Sequence, residues 1–162
     1  MKPREALLGE VAQAIAQFQS ATALVDEAAT VYLGINRTDL RMLGLLYSQG
    51  SLNAGRLASA AGLSPGATTA AIDRLERAGY VQRLRADGDR RAIVVEATPM
   101  THERLEAIYG PVGRSGMERL ARFSDSELQL LYDFLVEGYR LQVEQAARIR
   151  SMAGEAASQP QE

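Results

Sequence analysis

Residues Ser51–Thr98 read SLNAGRLASAAGLSPGATTAAIDRLERAGYVQRLRADGDRRAIVVEAT, and the order of local signals in this stretch decides the fold. Asn53 caps a short helix that carries Leu57 and Ala58 and ends at Gly62. Ser64 caps a second helix, with Pro65 at the first helical position, where its missing N–H costs nothing, and Gly79 closing it. Tyr80–Arg85 and Arg91–Ala97 are β-branched or alternating, and Ala86–Arg90 holds the turn residues Asp87 and Gly88, so a hairpin is predicted. Two short helices leading into a basic hairpin form the pattern of a winged helix-turn-helix.

Helical patterns extend on both sides. Upstream, Leu8, Val11, Ile15, Phe18, Thr22, Val25, Ala29 and Tyr32 alternate steps of three and four, predicting a long amphipathic helix to about Gly34. Asn36, with Asp39 in the first turn, opens a helix through Leu40, Leu43, Leu46 and Tyr47 that stops at Gly50. Downstream, Thr98-Pro99 repeats the cap-plus-proline signal and starts a helical region to about Phe123. Gly110-Pro111 predicts either a kink or a full break within it. Ser124 and Glu127 form a capping box for a last long helix with the stripe Leu128, Tyr132, Leu135, Tyr139, Val143 and Ala146. The expected fold class is mainly α with a small β-wing. Its parts are an N-terminal dimerisation helix (1–34), a winged helix-turn-helix (35–98), C-terminal dimerisation helices (99–152) and a disordered tail (153–162).

Composition narrows the function. The 162 residues, 46% of them hydrophobic, suffice for one packed core. No run approaches the ~20 apolar residues of a membrane span, and MKPREALLGE lacks the apolar stretch of a signal peptide, so a soluble, cytoplasmic protein without a membrane partner is expected. With no cysteine and one histidine, neither a disulfide nor a conventional metal site is expected, and no cofactor is implied. No phosphate loop, cofactor fingerprint or local nucleophile–base pairing is present, which argues against an enzyme. The net charge of −2 is unevenly placed: residues 51–95 hold seven arginines against four acids, a net of +3 that leaves −5 elsewhere. A basic module on an acidic scaffold suits a polyanionic partner.

The helix order and the local wording resemble the MarR family of winged-helix transcriptional regulators. Ile35-Asn36-Arg37-Thr38-Asp39-Leu40-Arg41 is similar to that family's entry to its second helix. LASAAGLSPGATTAAIDRLERAGYVQR is similar to its helix-turn-helix core, and DGDRR followed by a strand and Thr98-Pro99 to its wing and exit. The resemblance is close over about residues 35–100 and architectural in the flanking helices. It implies a sequence-specific DNA-binding transcriptional regulator, expected to be a repressor relieved by a small-molecule ligand, although the family includes activators. The alternative is a winged-helix protein-interaction module with weak or no DNA binding.

For DNA recognition, the helical wheel of the second helix of the pair puts Thr68, Ala71, Ile72 and Leu75 on a core face. Gly66, Ala70, Asp73, Arg74 and Arg77 lie opposite, with Thr69 on the flank. The N-terminal half of that outer face has no Arg, Lys, Asn or Gln for bidentate base contacts, and Ala70 stands where the family often has a larger polar reader. Pro65, Gly66, Thr69 and Ala70 are therefore expected to allow close approach and methyl contact with thymine, with Ser64 and the helix N-terminus on a phosphate. Arg74, matching the arginine of the family's Asp-Arg-Leu motif, and Arg77 are expected on phosphates. The resemblance further implies that Arg91 enters the minor groove while Asp89 orients it; Arg83, Arg85 and Arg90 add phosphate contacts. About four arginines per subunit, or roughly eight per dimer, predict a log–log salt slope near −7.

The apolar stripes of the first and last helices exceed what a small core covers, so a two-fold homodimer is expected. Leu8, Val11, Ile15, Phe18, Leu128, Tyr132, Leu135 and Tyr139 would carry the contact, placing two recognition helices over a pseudo-palindromic operator in double-stranded DNA. In the family, a crevice between dimerisation helices and winged helix often accepts aromatic acids or other small amphipathic compounds. Tyr32, Met42, Tyr47, His102 and Tyr109 are its candidate lining residues here.

Overall fold

A computed structural model describes residues 2–86 and 89–157, with backbone alone at 86, 89–92 and 153–157. The elements run α1 (Arg4–Leu33), α2 (Arg37–Gln49), α3 (Ala54–Ala61), α4 (Pro65–Arg77), β1 (Val81–Ala86), β2 (Asp89–Ala97), α5 (Pro99–Leu120) and α6 (Asp125–Ala157). They fall into two compact units, Met1–Gly110 and Pro111–Glu162.

In the first unit each cap expected from the sequence is made. Asn36 Oδ1 accepts from Asp39 N–H at 2.9 Å, Asn53 Oδ1 from Arg56 N–H at 2.8 Å, and Ser64 Oγ from Ala67 N–H at 3.3 Å. Gly34 and Gly62 close α1 and α3 in the left-handed region, a conformation that costs glycine little. The helix-turn-helix core is built from Leu40, Met42, Leu43 and Leu46 of α2, Leu57 of α3, and Ala71, Ile72 and Leu75 of α4. Ala29 and Leu33 at the end of α1 and Leu105 of α5 complete it.

The wing is an antiparallel pair with Val81 opposite Ala97 and Leu84 opposite Val94, and its register shifts between Arg85 and Ala86. A third segment joins it. Leu52 and Val95 exchange both backbone hydrogen bonds, at 2.9 and 2.8 Å, tying the loop before α3 to the wing. No sequence pattern announced this bridge, because one residue of pairing has no periodicity to read. Tyr80, buried at the base of the wing, donates its hydroxyl hydrogen to Leu33 O at 2.6 Å and accepts from Arg104 at 2.8 Å. The wing, α1 and α5 thus meet at one phenol.

The Gly110-Pro111 step does not break the helix: α5 runs from Pro99 to Leu120 with Pro111 inside it. The second unit holds the last turns of α5 together with α6, whose capping box forms as expected. Glu127 Oε2 accepts from Ser124 N–H at 2.8 Å and from its hydroxyl at 2.7 Å, and these bonds hold the Glu127 carboxyl below its ordinary pKa. Helix α6 extends to Ala157, past the residue-153 boundary expected for the tail. Alanine and glutamate favour the helix without an apolar stripe, so the loss of periodicity marks the end of the sticky face and not of the helix. Residues 158–162 lie outside the described residues.

Candidate nucleic-acid interface

Thr68, Ala71, Ile72 and Leu75 of α4 are buried, which turns the opposite face outward. Ser64, Pro65, Gly66, Thr69, Ala70, Arg74 and Arg77 are all exposed. Ser64 is occupied as the cap through its oxygen, which leaves its O–H as a donor. Thr69 Oγ1 donates to Pro65 O at 3.1 Å, drawing its polar end back onto the helix. The first two turns therefore offer small side chains and, at Ser64, one hydroxyl.

The arginines divide into two groups. Arg74 does not extend freely from α4: it grips Asp39 of α2 with both edges of its fork, Nε to Oδ2 at 2.9 Å and an Nη to Oδ1 at 2.6 Å. The Asp39 side chain is only 2% exposed, whereas that of Arg74 remains 45% exposed, so the pair joins a buried carboxylate to the outer face of the recognition helix. The hydrogen bond to Asp39 is the main cause holding the Arg74 pKa above its ordinary value. Arg74, expected on a phosphate, is thus already paired within the protein, and its partner is Asp39 and not the neighbouring acids Asp73 and Glu76. Those two acids are taken by Arg83 of β1, which bonds both side chains. Arg83, expected to add a phosphate contact, is thus a brace between α4 and the wing. Arg77 donates Nε–H to Asp73 O at 3.1 Å, one turn back, and Arg85 is exposed on β1. The side chains of Asp89, Arg90 and Arg91 lie outside the described residues.

A groove of about 450 Å³ lies along the largely exposed Arg37–Arg41–Gly44–Tyr47 stripe of α2. Among its lining residues are Asp26 of α1, Arg37, Arg41 and Tyr47 of α2, and Leu105 and Tyr109 of α5. Two of the expected effector residues, Tyr47 and Tyr109, are therefore brought together. Tyr109 donates to Asp26 at 2.8 Å, and burial, reinforced by that bond, pushes its phenol up to about 12. Met42 is corrected: it has no exposed surface and belongs to the core, on the same buried face of α2 as Leu43 and Leu46. Tyr32 is exposed on α1 and His102 meets Tyr47 in a tilted ring contact, centroids 5.4 Å apart; neither lines the groove. The sequence reading missed Asp26, Arg37 and Arg41. Their charges sit at helix positions that read as ordinary solvated faces, and only the packing of α1 and α5 on α2 makes them converge.

Of the residues expected at a dimer contact, Leu8, Val11, Phe18, Tyr132, Leu135 and Tyr139 are exposed, Phe18 to 71% and Tyr139 to 70%. Ile15 and Leu128 are half-buried.

A solvent-facing helix preceded by a capped turn, with a basic hairpin braced to it by Arg83, defines a winged helix-turn-helix DNA-binding protein. Comparison with known proteins agrees. The MarR family profile matches residues 35–93. A Bacillus subtilis HTH-type transcriptional regulator, YcgE, is 33% identical over 129 residues, which are 80% of this chain and 84% of that protein. Among solved structures, NadR in complex with 4-hydroxyphenylacetate is similar at 26% identity and a TM-score of 0.56, over 76% of this chain and 89% of its own. A MarR family protein from Bacillus stearothermophilus shares the fold at 20% identity and a TM-score of 0.62, over 88% of this chain and 99% of its own. The chain belongs to the MarR family and is a DNA-binding transcriptional regulator.

Among the described residues no helix is long and apolar enough to cross a membrane.

Proposed function

We propose that this regulator works as a homodimeric repressor on a pseudo-palindromic operator and that a small aromatic or amphipathic compound in the α2 groove lowers its affinity for DNA. The observation that carries the dimer is the solvent exposure of large apolar side chains along both α1 and α6, from Leu8 to Phe18 and from Tyr132 to Tyr139. Exposed apolar surface on this scale is what a subunit contact covers. A two-fold pairing through these helices doubles α4 and sets two recognition helices on successive turns of DNA. Gel filtration at micromolar concentration should return twice the 17.6 kDa chain mass, and elution as a monomer would refute the pairing.

Readout combines close approach at Pro65, Gly66, Thr69 and Ala70, phosphate contact by Ser64, Arg77, Arg85 and Arg90, and Arg91 in the minor groove with Asp89 orienting it. The small side chains on the first turns of α4 support this division, since they supply shape and little hydrogen-bonding information. The likeness to NadR supports the groove as an effector site, with an aromatic acid as the chemistry to try first. Changing Arg91 to Ala is the direct test of the wing. Affinity for DNA from the protein's own upstream region should fall about tenfold or more, the share of one good groove contact worth ~1–3 kcal/mol. Equal affinity of variant and wild type, measured by fluorescence anisotropy, would remove the wing from the interface.

A further inference from the structure

Arg41 belongs to two structures at once. It lines the α2 groove, and its Nη1 donates to Ala61 O, the last carbonyl of α3, at 3.2 Å. That carbonyl has a special need. Of the four carbonyls in the last turn of a helix, none has a partner within the helix. Here Leu63 N–H returns to Ala58 O at 2.9 Å and Gly62 N–H to Ser59 O at 3.2 Å, whereas Ala61 O is reached by a side chain from another helix. Two residues later Ser64 caps the recognition helix. The turn Gly62–Leu63, which sets the entry of α4, is therefore pinned to the wall of the groove by one guanidinium.

We propose that Arg41 is the positioning residue that couples the groove to the recognition helix: an organic carboxylate in the groove draws its guanidinium off Ala61 O and loosens the α3–α4 turn. The inference rests on the effector reading given above and adds to it the group through which the effector acts. The competition favours the ligand. Both bonds have the ionised guanidinium as donor, but a carboxylate adds a full opposite charge and a second oxygen that matches the guanidinium fork, which a single neutral carbonyl cannot offer. The C-terminal end of α3 offers only the partial negative charge of its dipole. The second cation of the groove, Arg37, has an acid of its own, Glu27 at 3.7 Å, so Arg41 is the one whose partner is uncharged. Differential contact of this kind is what lets a ligand shift a conformational equilibrium, and linkage makes it reciprocal: DNA that requires the pinned turn weakens the ligand by the same factor.

The test uses 4-hydroxyphenylacetate as the probe, with the full-length wild type and Arg41→Met, which keeps most of the apolar stem. Three quantities are read: heat of probe binding, affinity for operator DNA with and without saturating probe, and amide hydrogen exchange at Gly62 and Leu63. In the wild type the probe should lower DNA affinity by about tenfold and speed exchange at Gly62 and Leu63. In Arg41→Met, exchange at these two amides should be fast without probe and DNA affinity several-fold lower. Added probe should then change that affinity by less than about twofold. Retention of the full probe effect in Arg41→Met, or unchanged exchange at Gly62 and Leu63 in the ligand-free variant, overturns the proposal. Absence of binding heat with the wild type overturns the effector reading and the proposal with it. That failure is distinct, because the exchange comparison between the two free proteins needs no ligand.

Discussion

Arg74→Ala should lower the unfolding free energy by about 2–3 kcal/mol, while Asp39→Ala should cost only about 1 kcal/mol. The asymmetry follows from burial. Removing Arg74 strands the Asp39 carboxylate, whose side chain is 2% exposed and whose two oxygens both accept from Arg74. Breaking one side of a fully buried pair costs ~3–5 kcal/mol. The figure here is set lower because the Arg74 side chain is 45% exposed and its loss opens a path for water. Removing Asp39 instead leaves an arginine that can hydrate, at the expense of two hydrogen bonds and the link between α2 and α4. Urea denaturation of the two single variants and the double variant measures this. The double variant should resemble Asp39→Ala, and equal losses in the two single variants would refute the asymmetry. It also follows that loss of DNA binding in Arg74→Ala does not by itself report a phosphate contact, since the recognition helix loses its tie to α2 in the same step.

The affinity for operator DNA should fall with salt along a log–log slope near −5, about a thousandfold between 50 and 200 mM. Counting about four phosphate-bound arginines per subunit from the sequence suggested a slope near −7. The difference lies in where the charges go. Arg83 is spent on Asp73 and Glu76, and Arg74 on Asp39, so neither brings a free positive charge to the phosphates. With Arg77, Arg85 and Arg90 counted in each subunit, a dimer neutralises roughly six phosphates and releases their counterions. Anisotropy titrations at several salt concentrations read the slope directly. A slope as steep as −7 would mean that Arg74 exchanges Asp39 for a phosphate on binding; a slope shallower than about −2 would refute phosphate-dominated recognition.

Much of the scaffold was legible in the residues. The caps at Asn36, Asn53, Ser64 and Ser124 follow from short polar side chains that reach a backbone N–H three positions on, a distance the chain itself sets. The buried face of α4 follows from helical periodicity in the same way. Reading failed where apolar character had two meanings. Met42 fits a crevice wall as well as a core by residue type, and only the packing around α2 decides for the core. Of the kink or full break expected at Gly110-Pro111, the break is excluded, because α5 continues through Pro111 from Pro99 to Leu120.

By itself the sequence determined the winged-helix order, the capped ends of its helices and the bare outer face of α4, because each depends on neighbours within one or two turns. Tertiary structure alone decided which charges are spent inside the molecule and which remain for DNA. Asp39 and Arg74 are 35 residues apart and Arg41 and Ala61 are 20 apart, and at such separations no pattern of residue types names a partner. An arginine reads the same in a sequence whether its fork is free or filled. Its availability depends on which carboxylate or carbonyl the packing of α2 against α3 and α4 brings within about 3 Å.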